Sequence, residues 1–202
     1  MNLMTTLLAS TLLAASLPAL AQAPAPAKAD EPSQVCLAVG LIQTQGNALD
    51  MTGRRFGGFT FEAGAQFRPE GFGPSLHAYV GYLRIPGAKG SAERPTYDLA
   101  GPRFGLDLQY QPVDRLPLKV FTGPVFHIWQ VENTTVAGDA RQGDQSLKPG
   151  WRLGAEYAVT PQWGVAVSYT LSAWRSLPEA DFQSGVNPSR PAYLTFSGRY
   201  RF

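Results

Sequence analysis

Along much of the chain, apolar and polar residues alternate with a period of two. Phe59, Phe61, Ala63, Ala65 and Phe67 form one apolar row, and Gly58, Thr60, Glu62, Gly64 and Gln66 interleave with it. The same pattern returns from Phe104 to Tyr110, from Trp151 to Val159, from Trp163 to Ala173 and from Leu194 to Phe202. Across these five segments the apolar row carries no charge and no amide, and the interleaved row holds no Val, Ile, Leu, Met, Phe or Trp. Successive side chains of a strand point to opposite faces, so each segment predicts a strand with one apolar and one polar face.

Three weaker segments extend the series. Val35 to Gln43 predicts a first strand, with Val35, Leu37, Val39 and Leu41 on its apolar side. Leu76 to Arg84 predicts a third, on which Ala78, Val80 and Tyr82 compete with His77, Tyr79 and Leu83 for that side. Leu118 to Val131 predicts a fifth with Pro124 in its middle, where a missing ladder donor calls for a bulge or local break. The total is eight strands. Short connectors at Arg68–Pro74, Pro112–Pro117 and Pro161–Gln162 alternate with long ones at Thr44–Arg55, Pro86–Asp98, Glu132–Lys148 and Arg175–Arg190. Short turns on one rim and long loops on the other suit an antiparallel up-and-down barrel in a membrane.

A soluble sandwich or lipocalin-like barrel also alternates. Two features favour a wall facing lipid. Aromatics cluster at segment ends (Phe67, Tyr110, Trp151, Trp163, Tyr200, Phe202), as an interfacial girdle would. The other face is rich in glycine and small hydroxyls with a few charges, which suits a cramped interior. In lipid every backbone group must be paired internally, so such strands must close on themselves. The expected fold is therefore all-β: an eight-stranded antiparallel transmembrane β-barrel spanning residues 34–202.

The first residues read as processing signals. The apolar run Leu7–Leu20 precedes Ala21-Gln22-Ala23, a small-residue cleavage pattern, so residues 1–23 are expected to be a cleaved signal peptide. Residues 24–33 are Pro/Ala-rich and predict a short tether. Cys36 lies too far beyond the cleavage site to carry a lipid anchor, and is expected to pack as a small hydrophobe.

Composition narrows the chemistry. The 202 residues hold 17 basic and 15 acidic side chains, a net charge of +2 with only 16% charged residues, which argues against a nucleic-acid partner. One cysteine and two histidines, His77 and His127, argue against a disulfide framework and leave no metal site or cofactor expected.

The ending Leu194-x-Phe196-x-Gly198-x-Tyr200-x-Phe202, with its final aromatic, resembles the C-terminal signal of Gram-negative outer-membrane barrels. With Gly150 to Tyr157, it makes the chain from Val35 to Phe202 resemble the small barrel group of the OmpA transmembrane domain and OmpX. That resemblance implies an outer-membrane location, recognition of the ending by the barrel-assembly machinery, a monomer, and contact with outer-membrane lipid and lipopolysaccharide. The resemblance does not extend to the peptidoglycan-binding domain of OmpA, so it implies no cell-wall anchoring.

Inside such a barrel the charged candidates are Glu62, Arg103, Asp107, Arg152, Glu156 and Lys119. Arg103-x-Gly105-x-Asp107 returns as Arg152-x-Gly154-x-Glu156, each placing an arginine and an acid on one face. Balanced signs predict an ion-pair network that plugs the lumen. The same network could instead gate a narrow pore. A third reading is a lipid-modifying enzyme, but the His-x-Ser pair of the similar lipid A deacylase barrels is absent at His77 and at His127. His127 beside Trp129 is expected to hydrogen-bond a neighbour. The long loops carry charges of both signs and no motif for a ligand, so a surface partner there stays unspecified.

Overall fold

The computed structural model describes residues 33–69, 72–88, 96–113, 116–133, 141–142, 147–172 and 191–202. The signal-peptide region, nearly all of the tether, much of the second and third long loops and all of the fourth lie outside these residues. In chain order the elements are β1 (Gln34–Gln45), α1 (Gly46–Thr52), β2 (Phe56–Phe67), β3 (Ser75–Ile85), β4 (Tyr97–Tyr110) and β5 (Leu118–Ile128). There follow β6 (Gln130–Asn133), β7 (Arg141–Gln142), β8 (Leu147–Ala158), β9 (Trp163–Ser172) and β10 (Ala192–Arg201). Among the described residues no helix is long and apolar enough to cross a membrane.

Antiparallel pairing runs β3-β2-β1-β10-β9-β8-β5-β4, and a β3–β4 ladder closes the ring. β6 prolongs β5 beyond Trp129, pairs with the start of β4 and carries the two-residue β7 on its other edge. The wall thus has eight staves, β5 and β6 sharing one. β1 lies between β2 and β10, so the two ends of the barrel sequence are joined by the Cys36–Gln45 ladder against Ala192–Arg201. Gly57 (φ 131°) is the extra residue of a bulge in β2, where the β1 register shifts at Ile42/Gln43.

The outer face is the apolar row read from the sequence. Val39, Leu41, Phe59, Phe61, Val80, Trp151, Val165, Leu171 and Phe196 are all exposed. β3 turns Ala78, Val80 and Tyr82 outward and buries His77, Tyr79 and Leu83, which resolves the competition between its two faces. At the short-turn rim Trp163, Tyr200 and Phe202 pack ring against ring, with centroids 4.9 and 4.8 Å apart. At the loop rim the outward pair Arg84–Asp98, 3.2 Å apart, marks where the apolar band ends.

The local break expected at Pro124 is present, and one other expectation is corrected. The break at Pro124 is a lapse of the β4–β5 pairing with no inserted residue, since Gly105↔Val125 and Leu108↔Thr122 share one register and the β8 side of β5 is continuous. The inner face is not polar throughout. In its loop-end part Ile42, Leu83, Ile85, Tyr97, Leu99, Trp129, Val131 and Tyr193 form a buried apolar cluster. Most of these belong to the weaker segments or to strand ends, where short-range alternation could not separate inward from outward apolar rows.

The first long loop is not irregular: α1 packs against β1, β4 and β10, strands on different sides of the ring, and so crosses the loop-end mouth. It ends at Gly53 (φ 61°), whose N–H donates to Leu49 O at 2.8 Å in a left-handed cap. Thr52 Oγ1 donates to Ala48 O, and Ala88 N to Thr52 O, tying the helix end to the second loop.

Inside the wall, two glycines make room for rings. Phe121 lies opposite Gly154, and a Cβ there would strike its ring; Tyr79 lies opposite Gly105 in the same relation. Gly154→Ala is therefore expected to lower the unfolding free energy by about 1–3 kcal/mol. Gly198→Ala, where a Cβ meets nothing within 4 Å, should leave it unchanged; urea titration of the refolded barrel reads both.

Candidate functional site

The lumen gathers charge because strand alternation gives it no other place. Arg103 and Asp107 project inward from β4, Arg152 and Glu156 from β8, Glu62 from β2, and Arg199 and Arg201 from β10; all seven are buried. Glu62 is their centre. Its Oε1 accepts from Arg103 Nη2 and from Arg152 Nη1, the latter at 2.7 Å, and its Oε2 lies 4.0 Å from Arg199. Arg152 reaches on to Asp107 Oδ2 at 2.5 Å, and Asp107 lies 3.6 Å from His77 Nδ1. Arg199 Nη1 donates to Glu156 Oε2 at 2.8 Å, and Arg201 also pairs with Glu156.

Five of the six charges expected inside thus join one connected network. The sixth, Lys119, is half-buried opposite Glu156 at the short-turn end. Among the described residues three buried carboxylates stand with four buried guanidiniums. Arg199 and Arg201 complete the set. The signal for them was available, because both stand on the polar row of the last segment, but their neighbours in the C-terminal pattern drew the reading to the outer face.

Two aromatics brace the centre. The Arg152 guanidinium lies 4.1 Å from the Tyr79 ring centre and 5.1 Å from that of Phe121, and Arg199 lies 5.4 Å from Phe121. These are the rings seated over Gly105 and Gly154. The repeated Arg-x-Gly-x-acid phrase therefore has a physical content: its glycine admits a ring from the next strand, and between the two rings Arg152 is held by cation–π attraction.

Tyr193 joins this polar half to the apolar half. Its hydroxyl accepts from Arg103 Nη1 at 2.9 Å and hydrogen-bonds His127 Nε2 at 2.7 Å, while its ring belongs to the apolar cluster. His127 stacks on Trp129 with centroids 4.9 Å apart, and Trp129 Nε1 donates to Ser172 Oγ. The expected neighbour of His127 is thus Tyr193. His77 shares its face with Ser75, but Ser75 Oγ accepts from Gln66 Nε2 at 3.2 Å, and both sit toward the short-turn end rather than near the loops. Cys36 is buried on the inner face of β1. Among the described residues no group of His, Cys, Asp and Glu could hold a metal ion. In the ending Leu194–Phe202, Phe196 and Phe202 are exposed on the outer face.

No protein-family model matches the sequence, and no curated protein matches it significantly. Solved structures do. The chain is similar to neisserial surface protein A, at 16% identity over 87% of this chain and 100% of that one, with a TM-score of 0.54. It is also similar to a major outer membrane protein from Thermus thermophilus, at 14% identity over 85% and 100% of the two chains, with a TM-score of 0.53. The fold is that of an outer-membrane β-barrel. At such identities the likeness is one of fold, and the network above is read from this chain alone.

Removing one partner from a buried ion pair strands the other charge. Arg152→Ala takes from Asp107 its only guanidinium partner among the described residues and leaves Glu62 with Arg103, and is expected to cost about 3–5 kcal/mol in the same urea titration. A loss below about 1 kcal/mol, the range of exposed pairs, would show that water rather than Arg152 solvates the two carboxylates.

Proposed function

We propose that this chain is an integral protein of a Gram-negative outer membrane, of the OmpX-like kind, with a plugged barrel and a structural or surface-interaction role. The observation that carries this reading is a closed ring, apolar outside, with two different groups of buried inward side chains in series. The ion-pair network around Glu62 fills the short-turn half, and the apolar cluster around Trp129 fills the loop-end half beneath α1. An eight-stranded barrel is just wide enough for its own side chains to fill it.

In this reading residues 1–23 direct export, the ending Leu194–Phe202 is read by the assembly machinery, and the wall contacts outer-membrane lipid and lipopolysaccharide. The protein acts as a monomer, without catalysis, and any surface ligand meets the loops above the mouth. A rigid scaffold carrying long loops is a common way of presenting binding residues.

A gated pore is the second reading, favoured by one feature: Glu62 is shared by several arginines, so its pairs could exchange. Conductance in a planar bilayer separates the two. The plugged barrel is expected to be silent both as wild type and as Arg152→Ala, because the apolar cluster still blocks the path after the charge is removed. Single-channel steps in the wild type, or in a folded Arg152→Ala protein, would establish the pore instead. A heat-dependent gel shift shows that each protein is folded.

A further inference from the structure

Pro102 in β4 and Pro124 in β5 lie on adjacent strands, and each follows a glycine. A proline has no N–H to give, so the carbonyl opposite each one loses its donor. The pairing of β4 lapses at both places: between Ala100↔Gln130 and Arg103↔His127, and again between Gly105↔Val125 and Leu108↔Thr122. On their other edges the two strands stay paired, β4 with β3 through Pro102 and β5 with β8 through Pro124. The weakness belongs to the seam and not to either strand.

The glycines show where the deprived carbonyls rest. A Cβ on Gly101 would strike the Ile128 oxygen, and one on Gly123 the Leu106 oxygen. Each Gly-Pro unit therefore replaces one N–H···O bond with a close Cα–H···O approach, a weaker interaction. Between the two units the outward rings of Phe104 and Phe126 stack across the seam, 5.3 Å apart.

What lies behind the two lapses differs. Asp107, paired with Arg152, is at the lower one. At the upper one stands Trp129, with Leu99 and Val131 of the buried apolar cluster on its loop side and the paired Arg103 and His127 on its short-turn side. Parting the wall over charged side chains would set them against hydrocarbon at high cost. Parting it on the loop side of the Arg103↔His127 pair, over Leu99, Trp129 and Val131, exchanges one apolar contact for another.

We propose that the wall opens laterally along the β4–β5 seam, at Gly101–Pro102 and Ile128–Trp129, and admits acyl chains of the surrounding lipid to the apolar cluster. This rests on the reading that the wall faces lipid. Trp129, buried inside at the upper lapse, reports the opening, and Trp163, exposed on the outer face, reports the lipid contact.

The test uses full-length protein with a single tryptophan, Trp129 or Trp163, the others changed to Phe. Each protein is refolded into phosphatidylcholine vesicles with plain or brominated acyl chains, bromine quenching indole emission on contact. Trp163 should lose emission in brominated vesicles, and so should Trp129. Pro102→Ala with Pro124→Ala restores both donors and should abolish the loss at Trp129 while leaving that at Trp163. Should that variant not fold, Phe104→Cys with Phe126→Cys in a Cys36→Ser background does the same when oxidised, and reduction returns the loss.

Emission from Trp129 that is unchanged in brominated vesicles, while Trp163 is quenched, overturns the lateral opening alone. Quenching of Trp129 that persists with the seam closed overturns it too. An unquenched Trp163 removes the lipid-facing reading, and the opening with it.

Discussion

A strand in hydrocarbon must give every backbone N–H and C=O a partner on a neighbouring strand, since the solvent offers none. The rest of this structure follows from meeting that demand with eight staves. The ring has to close, which β3 and β4 do, and β1 with β10 joins the two ends of the barrel sequence. Once closed, alternation leaves each side chain one of two environments, the wall or a lumen about as wide as its own side chains. Apolar residues line the first, and the second must neutralise or bury whatever remains.

The lumen meets that requirement in two ways. Toward the short turns it is polar, and Glu62 and Asp107 hold Arg103 and Arg152 in pairs that low local polarity strengthens. Toward the loops it is apolar, and α1 lies across the mouth. Tyr193 stands at the boundary, its ring among the apolar side chains and its hydroxyl between Arg103 and His127. Such a tyrosine gives Arg103 and His127 a shared partner at the boundary. Among the described residues the polar half holds four buried guanidiniums and three buried carboxylates.

Glycine has three distinct uses in this wall. At Gly57 it supplies the left-handed backbone of a bulge. At Gly105 and Gly154 it clears space for Tyr79 and Phe121, which in turn confine Arg152. At Gly101 and Gly123 it lets a carbonyl approach that a following proline has deprived of its donor. Composition alone shows only that glycine is abundant. Its partners across the strands show why.

Alternation in the sequence determined the fold class, the strand number and the outward rows, because a period of two is a local property that any single strand displays. It also named five of the network's seven charges, whose inward direction follows from the same parity. Three things lay beyond it. The faces of β3 and β5 were ambiguous because both rows there contain apolar residues, and only the packing of Leu83 against Leu99 and Trp129 decides which is buried. The partners of each charge depend on register between strands far apart in sequence, as when Glu62 meets Arg152. The two lapses along one seam exist only because Pro102 and Pro124 fall on strands that the closed ring makes neighbours. Parity is written along the chain, whereas register and adjacency arise when the ring closes.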